Sequence, residues 1–423
     1  MRKHINLILL ILFFVSSIIP PFESIDVIFP QWLYLSIYSI ISIFIIYTYG
    51  DPKSNRLPFQ SKYLKLFFVF ISICFVSIFF AENKVESMVV MGRIVLIPVL
   101  LYLVILNFFS LKKPIQTVAF ILCGLLVYEL YLIYDVFFEI TKYTTYDFKY
   151  ASLLKGNTGN KNIAAASIMA KIPFVILLFG RLKNKLLQTM IMILLFGSLL
   201  AIIMIAARAT ILSGFLFFLL YFGFVLKQYF VNKASMSQSV PIMAVLALVL
   251  LANNFLFQNS SVALESRVED IANYKDDYST QSRLRYYSHG FQQIINNPLM
   301  GCGIGNWKIK SIDYDKENIK NFIVPFTLHN DFLEIGAETG LLGMLIYITI
   351  FFLFFKQTLL KVFISKGENY NETEIFCIGG SMFIYFIDAN LNFPFSRVVM
   401  LIQFITLLAL ASYYTLNKAV YEN

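Results

Sequence analysis

An arginine and a histidine of this sequence stand at positions where a polar side chain is unusual. Arg208 separates two strongly apolar blocks, and His329 comes just before another apolar segment. A guanidinium at membrane depth costs about 2.5–3.5 kcal/mol, so such residues usually face a cavity and mark a site. An imidazole near neutral pH can accept a proton from a reacting group. Snorkelling of Arg208 to the interface and a structural role for His329 are the alternatives.

A second group of candidates lies in the polar segment between these two residues. Residues 282–297 carry apolar side chains at helical spacing and end before Pro298, which predicts a short amphipathic helix. Arg283 and Tyr287 fall one turn apart on this helix, and Arg285 lies between them in sequence. The arginines could bind a substrate, or they could meet lipid headgroups at the membrane surface.

Two short motifs in the same segment could be mistaken for ligand sites. The glycines of residues 298–305 permit tight turns, but the predicted strand that precedes a dinucleotide-binding loop is missing. Asp313 and Asp315 have the spacing of a divalent-metal site. They lie among lysines with no histidine or third acid beside them, which favours a solvated loop. The sequence therefore predicts neither a metal nor a cofactor.

These candidates belong to a chain built mainly of apolar blocks. It has 423 residues, 58% hydrophobic and 14% charged, with a mean hydropathy of +0.72. Soluble domains carry roughly 25% charged residues, so the composition excludes a soluble enzyme, a disordered protein and a nucleic-acid-binding module. About a dozen blocks approach the ~20-residue length of a membrane-spanning helix. They are 5–19, 33–49, 63–80, 88–108, 116–138, 163–179, 186–206, 209–226, 241–257, 339–355, 375–391 and 398–416.

The blocks predict an all-α, polytopic integral membrane protein. Residues 1–257 would hold helices 1–9, residues 258–338 a large loop containing short helices, and residues 339–423 helices 10–12. If the N-terminus is cytoplasmic, nearly all Lys and Arg of the short connections fall on the cytoplasmic side, as the positive-inside rule requires. We therefore expect both termini in the cytoplasm and the large loop on the opposite side.

Two further basic residues, Arg93 and Lys171, lie inside predicted spans. A charge at that depth either lines a cavity or pairs with a carboxylate. We expect pairing for both, with a carboxylate such as that of Glu129.

Four motifs occur in an order that resembles the O-antigen ligase and polymerase superfamily, which consists of bacterial inner-membrane glycan transferases. They are Arg283 with an aromatic residue at 287, Pro298-Leu299-x-Gly301-x-Gly303, His329-Asn330-x-x-Leu333, and Glu338-x-Gly340-Leu341-x-Gly343. Arg208 and residues 157–164 resemble two further motifs, a Ser-Arg pair and an Asn-Pro-Asn-x-x-Ala helix entry. Here Ala207 replaces the serine, Lys161 the proline, and Tyr287 the commoner tryptophan.

The resemblance implies transfer of a glycan from undecaprenyl diphosphate to an acceptor hydroxyl on the periplasmic face of the inner membrane. Ligases use the lipid A core as acceptor, polymerases use another lipid-linked repeat unit, and a related branch uses Ser or Thr of proteins. A ligase is the preferred interpretation, with the polymerase as the alternative. The resemblance further implies an inverting, metal-independent transfer, with membrane lipid but no nucleic acid as a partner.

For the site, the resemblance implies that Arg208, Arg283 and His329 are catalytic. The fork of a guanidinium matches phosphate oxygens, so two arginines would stabilise the diphosphate while the glycosidic bond breaks. His329 would act as the general base, or it would only orient the acceptor. Substrate-binding roles are expected for Arg285, Tyr287, Trp307 and Asn330.

A transporter or lipid flippase would also explain a dozen helices with buried charge. Such folds usually contain repeated halves with interrupted helices at corresponding positions. In this sequence the polar signals gather in one loop, which favours chemistry over transport.

Overall fold

The structure, a computed structural model, describes residues 2–233, 235–257, 260–272, 278–319, 324–364 and 371–422. Within these ranges the chain forms α-helices, a few short 3-10 turns and no strands. The helices are α1 Arg2–Val15, α2 Phe29–Tyr49, α3 Pro52–Arg56, α4 Lys62–Ser77, α5 Lys84–Phe109, α6 Pro114–Thr141, α7 Lys161–Arg181, α8 Lys185–Ile205, α9 Arg208–Phe230, α10 Val240–Phe257, α11 Leu264–Ala272, α12 Tyr278–Asn296, α13 Trp307–Asp315, α14 Asp331–Gln357, α15 Leu359–Ile364, α16 Glu372–Leu391 and α17 Val398–Glu422.

The prediction of an all-α multi-pass membrane protein is confirmed. In the described part of the chain, eleven helices are long and apolar enough to cross a membrane. The first apolar block instead forms the 14-residue helix α1, which is shorter than the ~20 residues of a full span. Each of the other predicted blocks coincides with one long helix.

Asparagine side chains fix where three of the long helices begin. The side-chain oxygens of Asn160, Asn184 and Asn330 each accept hydrogen bonds from two N–H groups in the first turn that follows. Such caps satisfy backbone donors that have no partner inside the helix. The starts of α7, α8 and α14 are therefore defined locally.

Helix α14 begins earlier than its apolar block suggested. It starts at Asp331, and its path is kinked at Gly340, where φ is +73°. Residues 331–338, which were expected to form the last part of the loop, are therefore helical. Other parts of that loop, residues 258–259, 273–277 and 320–323, lie outside the described residues.

The kink of α14 receives the glycine turn that follows α12. The N–H of Leu341 donates to the carbonyl of Pro298 at 2.8 Å, and the N–H of Cys302 donates to the carbonyl of Ala337 at 2.9 Å. A Cβ on Gly340 would lie 2.4 Å from the carbonyl carbon of Leu299, so only glycine fits there. Two of the sequence motifs thus contact each other directly.

Helices α7, α9 and α16 pack side by side, and their register defines one end of the bundle. Phe224 of α9 stacks on Phe376 of α16 at 4.3 Å, and the Ser381 hydroxyl of α16 donates to the Ala170 carbonyl of α7 at 2.6 Å. Arg181, at the end of α7, pairs with Glu374 near the start of α16 at 2.7 Å. Both neighbours therefore run antiparallel to α16, so α7 and α9 begin where α16 ends. We call this the loop end.

Both basic residues inside predicted spans pair with carboxylates, as expected. Lys171 Nζ lies 2.9 Å from Glu129 Oε1, and the pair shares the Ser167 hydroxyl. Arg93 pairs with Asp26 at 3.2 Å instead of with Glu129. The predicted partner Glu129 is therefore confirmed for Lys171, whereas Arg93 pairs with a different carboxylate.

Candidate active site

Three separate parts of the chain meet at the last turn of α16. The Tyr287 hydroxyl of α12 approaches the main-chain carbonyls of His329 and Asn390 at 3.0 and 3.1 Å. The Asn330 side-chain amide also donates to the Asn390 carbonyl, at 3.2 Å. Burial raises the pKa of Tyr287, so its hydroxyl keeps the proton that it donates. The loop helix α12, the start of α14 and the end of α16 are therefore joined by hydrogen bonds.

His329 lies at this junction in an unusual backbone conformation. Its φ is +54°, a region that residues other than glycine rarely occupy. The ring packs edge-on against Phe393 at 5.0 Å, and its buried Nδ1 has no hydrogen-bond partner among the described residues. Burial, aided by the positive charge of Arg283, lowers the pKa of His329 to about 4. At neutral pH the imidazole is therefore uncharged and able to accept a proton.

Arg283 supplies positive charge to the same place. Its charge acts on His329, on Tyr287 and on Asp388 of α16, so Arg283 lies within electrostatic reach of all three. Arg283 is half-buried in the turn of α12 that faces the junction. A guanidinium beside a neutral imidazole can hold a phosphate oxygen while the ring handles a proton.

Asp388 is a member of this group that the sequence analysis missed. It is 2% exposed, one carboxylate oxygen accepts a hydrogen bond from the Asn392 side chain, and the other is buried without a partner among the described residues. The signal was present in the sequence, because an acidic residue near the end of an apolar span is itself a functional candidate. About a hundred residues separate it from Arg283, so spacing could not join the two.

Arg208 begins α9 and therefore also lies at the loop end. Its charge and that of Arg267 both act on Lys161, the first residue of α7. Lys161 Nζ and the Arg267 guanidinium each lie 4.0 Å from the centre of the Phe148 ring. Arg208 thus belongs to a basic group at the same end of the bundle as Arg283 and His329.

The structure gives other roles to three of the residues that were expected to bind substrate. Asn330 caps α14 through its side-chain oxygen. Arg285 forms a two-pronged ion pair with Asp315, at 2.7 and 3.3 Å, which joins α12 to α13. Trp307 is 1% exposed and packs with Ile294 in the small core of the loop. Their contacts position the loop, and the ring of Trp307 is not open to a sugar.

Asp313 and Asp315, which have the spacing of a divalent-metal site, both form ion pairs with basic residues. Asp313 pairs with Lys310 at 2.9 Å, and Asp315 pairs with Arg285. In the described ranges, no three His, Cys, Asp or Glu side chains are grouped as metal ligands would be.

The family model described as O-antigen ligase matches residues 191–348. This match contains Arg208, Arg283, His329 and the interlocked glycine motifs. Over these residues the chain is similar to the O-antigen ligase superfamily, and the match supports that assignment. A search of curated proteins gives no match. This similarity supports a glycosyltransferase-like activity of the ligase or polymerase kind, with lipid-linked glycans in a membrane as the substrate class.

Proposed function

We propose that the protein transfers a glycan from undecaprenyl diphosphate to a hydroxyl of the lipid A core. It would lie in the bacterial inner membrane with both termini in the cytoplasm and the loop end in the periplasm. The proposed organisation is residues 1–257 and 339–423 as membrane helices, with residues 258–338 as the periplasmic segment. The observation that carries this proposal is the buried imidazole of His329, which is joined to α12 through Tyr287 and on which the charge of Arg283 acts.

The reaction requires charge stabilisation at the leaving group. The acceptor oxygen attacks the anomeric carbon, a new C–O bond forms, and the bond to the lipid diphosphate breaks with inversion. Negative charge then grows on the departing diphosphate. Arg283 and Arg208 would hold its oxygens, since fixed guanidinium charges at a site with little water stabilise developing charge strongly.

The acceptor must also lose a proton as it attacks. His329 would accept that proton at an imidazole nitrogen, for which its uncharged state at neutral pH is the requirement. Asp388, whose second oxygen is buried without a partner among the described residues, would offset the charge of Arg283, which acts on both Asp388 and His329. The proton would then pass to solvent when the product leaves.

The transfer can be tested with the purified full chain in proteoliposomes. Lipid-linked glycan and rough lipopolysaccharide are supplied without nucleotide, with and without a chelator, and products are identified by mass. We expect glycan on the lipopolysaccharide, undiminished by chelator and lost in Arg283→Ala. Elongated lipid-linked glycan in place of glycosylated lipopolysaccharide would establish a polymerase. Full transfer by Arg283→Ala and His329→Ala would overturn the proposed site.

A further inference from the structure

The exposed side of the loop helix α12 is apolar. Phe291, Ile295 and Leu299 recur every four residues, the last of them just after the helix, and are 58%, 60% and 66% exposed. The polar side chains of Ser282 and Gln293 are instead buried. Where the side chains of α12 are described, no exposed position holds a charged residue. A helix face turned to water usually carries charge, so these three apolar residues indicate a different environment.

Helix α12 runs in the same direction as the first turns of α14. A Cβ on Gly336 would lie 2.8 Å from Cδ1 of Ile294, and a Cβ on Gly340 would lie 2.4 Å from the carbonyl carbon of Leu299. The contacts thus advance along both segments together. Because α14 begins at the loop end and then enters the membrane bundle, the last turn of α12 also points toward the membrane.

The length of α14 gives the depth of this contact. A helix crosses the hydrocarbon in about 20 residues, and such a length counted back from Lys356, the basic residue of the last turn, ends near Gly336. The exposure of α14 agrees with this count. Residues 331–340 are buried or half-buried, whereas exposed apolar side chains begin at Leu341. The edge of the hydrocarbon therefore falls level with the last turn of α12.

The turn that follows α12 reaches a second membrane helix, α4. The N–H of Ile304 donates to the hydroxyl of Ser77, the last residue of α4, at 3.1 Å, and a Cβ on Gly303 would lie 2.4 Å from the Cβ of Ala81. Residues 301–306 are all buried. Non-helical backbone is tolerated at membrane depth only where protein surrounds it and its polar groups are bonded. Burial and this bond, with those of Cys302 and Leu341 described above, meet that condition.

We propose that the end of α12 and the turn at 298–305 form a re-entrant segment in the leaflet at the loop end, with Ile295 and Leu299 against lipid acyl chains and Phe291 at the interface. Lipid is the occupant because the apolar side chains continue onto the lipid-facing side of α14, where the N–H of Leu341 donates to the carbonyl that precedes Leu299. Acyl chains also need no hydrogen bonds, and these side chains offer none.

The insertion refines the placement of residues 258–338, since only part of this segment then stands in water. It also sets the height of the candidate site. The rise along α12 puts Tyr287 about 12 Å from Ile295, on the side nearer to water. The lipid contact thus holds the junction of Tyr287 and His329 just above the hydrocarbon.

Fluorescent labels on single added cysteines test the insertion in the full chain. All four native cysteines are buried, so Ile295→Cys, Leu299→Cys and Ser288→Cys each present one accessible thiol to an NBD maleimide. Ser288 is the matched control, because it is exposed on the same side of α12, about 10 Å nearer to water than Ile295. In vesicles of phosphatidylethanolamine and phosphatidylglycerol, lipids with a nitroxide on the acyl chain should quench the labels at 295 and 299 about twofold or more. Aqueous iodide should quench the label at 288 instead.

The depth of the nitroxide gives a second readout. Leu299 contacts α14 one turn deeper than Ile294 does, so a nitroxide deep in the acyl chain should favour quenching at 299 over 295. Iodide quenching at 295 and 299 equal to that at 288 overturns the insertion. Protection of both labels from lipid nitroxide and iodide alike means that protein covers them, as a partner or a second copy, and also overturns it. The measurement contains no glycan, so its result is independent of whether the protein transfers one.

Discussion

The Tyr287 hydroxyl lies 3.0 Å from the main-chain carbonyl oxygen of His329, and this contact ties the candidate base to the loop helix. The backbone of His329 is held at a positive φ, which a residue other than glycine adopts only when its surroundings compensate. The phenol is therefore part of what keeps the imidazole in place, although Tyr287 itself is not required to touch substrate.

Replacing Tyr287 with phenylalanine removes this contact and leaves the ring. We expect kcat to fall about tenfold, with little change in either KM, since an unsatisfied buried carbonyl costs roughly 1–3 kcal/mol and loosens His329. Tyr286→Phe is the control, because it removes a neighbouring hydroxyl from the same helix. Equal kcat values for the two variants would argue against a positioning role.

The pH dependence of transfer follows from the lowered pKa of His329. The ring protonates only near pH 4, so the transfer rate should be level from about pH 8 down to about pH 5 and should decline below that. Arg283→Gln removes a positive charge that opposes protonation. In this variant the pKa of His329 rises, and the acid decline of its residual activity moves to higher pH. A profile that does not move would contradict the closeness of the two side chains.

The same titration affects folding stability. The unfolded chain protonates this histidine near pH 6.5, and the folded chain does so only near pH 4. Because the unfolded state then binds more protons, the free energy of unfolding should decrease as the pH falls through that interval. His329→Gln should flatten this part of the pH dependence of unfolding, which thermal unfolding in detergent at a series of pH values would show.

Asp388→Asn tests whether the buried carboxylate belongs to the site. The amide oxygen can still accept the hydrogen bond from Asn392, so the fold should persist. Loss of the carboxylate on which the Arg283 charge acts should reduce kcat about a hundredfold. Asp135→Asn, an exposed position on α6, is the control. Activity close to wild type in Asp388→Asn would restrict that carboxylate to a structural role.

Arg285→Gln should destabilise the loop while leaving substrate affinity intact. The change breaks the pair with Asp315, whose side chain is 3% exposed, and leaves an uncompensated buried carboxylate. We expect about 2 kcal/mol of lost stability, visible as a lower Tm. The KM for lipid-linked glycan should stay unchanged. A large increase in that KM with an unchanged Tm would support a substrate-binding role for Arg285.

Gly340→Ala should prevent the glycine turn from docking into the kink of α14. The added Cβ meets the backbone of Leu299, and φ is positive at this position, so we expect a loss of about 3 kcal/mol or more. Gly223→Ala in α9 is the control, because its Cβ would meet nothing within 4 Å. Comparable melting temperatures for the two variants would contradict the close approach.

The membrane helices were predictable because hydrocarbon thickness sets a length that the sequence shows directly. Arg208 and His329 could be selected as candidates, since a polar residue at the edge of an apolar block is rare, and their catalytic roles stay predictions. The capping role of Asn330 was not foreseen, because an asparagine before a helix is equally suited to bind a substrate or to cap the helix, and its substrate-binding role stays a prediction. The roles of Trp307 and Arg285 are set by how the loop packs on itself. Asp388 comes near Arg283 only because the folded chain brings α12 and α16 together. Contacts between distant segments carry no local signal.

The hydrogen bonds on either side of Gly340 have a consequence for turnover. They couple the turn after α12 to both halves of α14, so lifting this part of the loop away from the bundle would break both bonds. For the proposed lipid-linked substrates this favours entry sideways from the bilayer, while the segment that carries His329 stays docked.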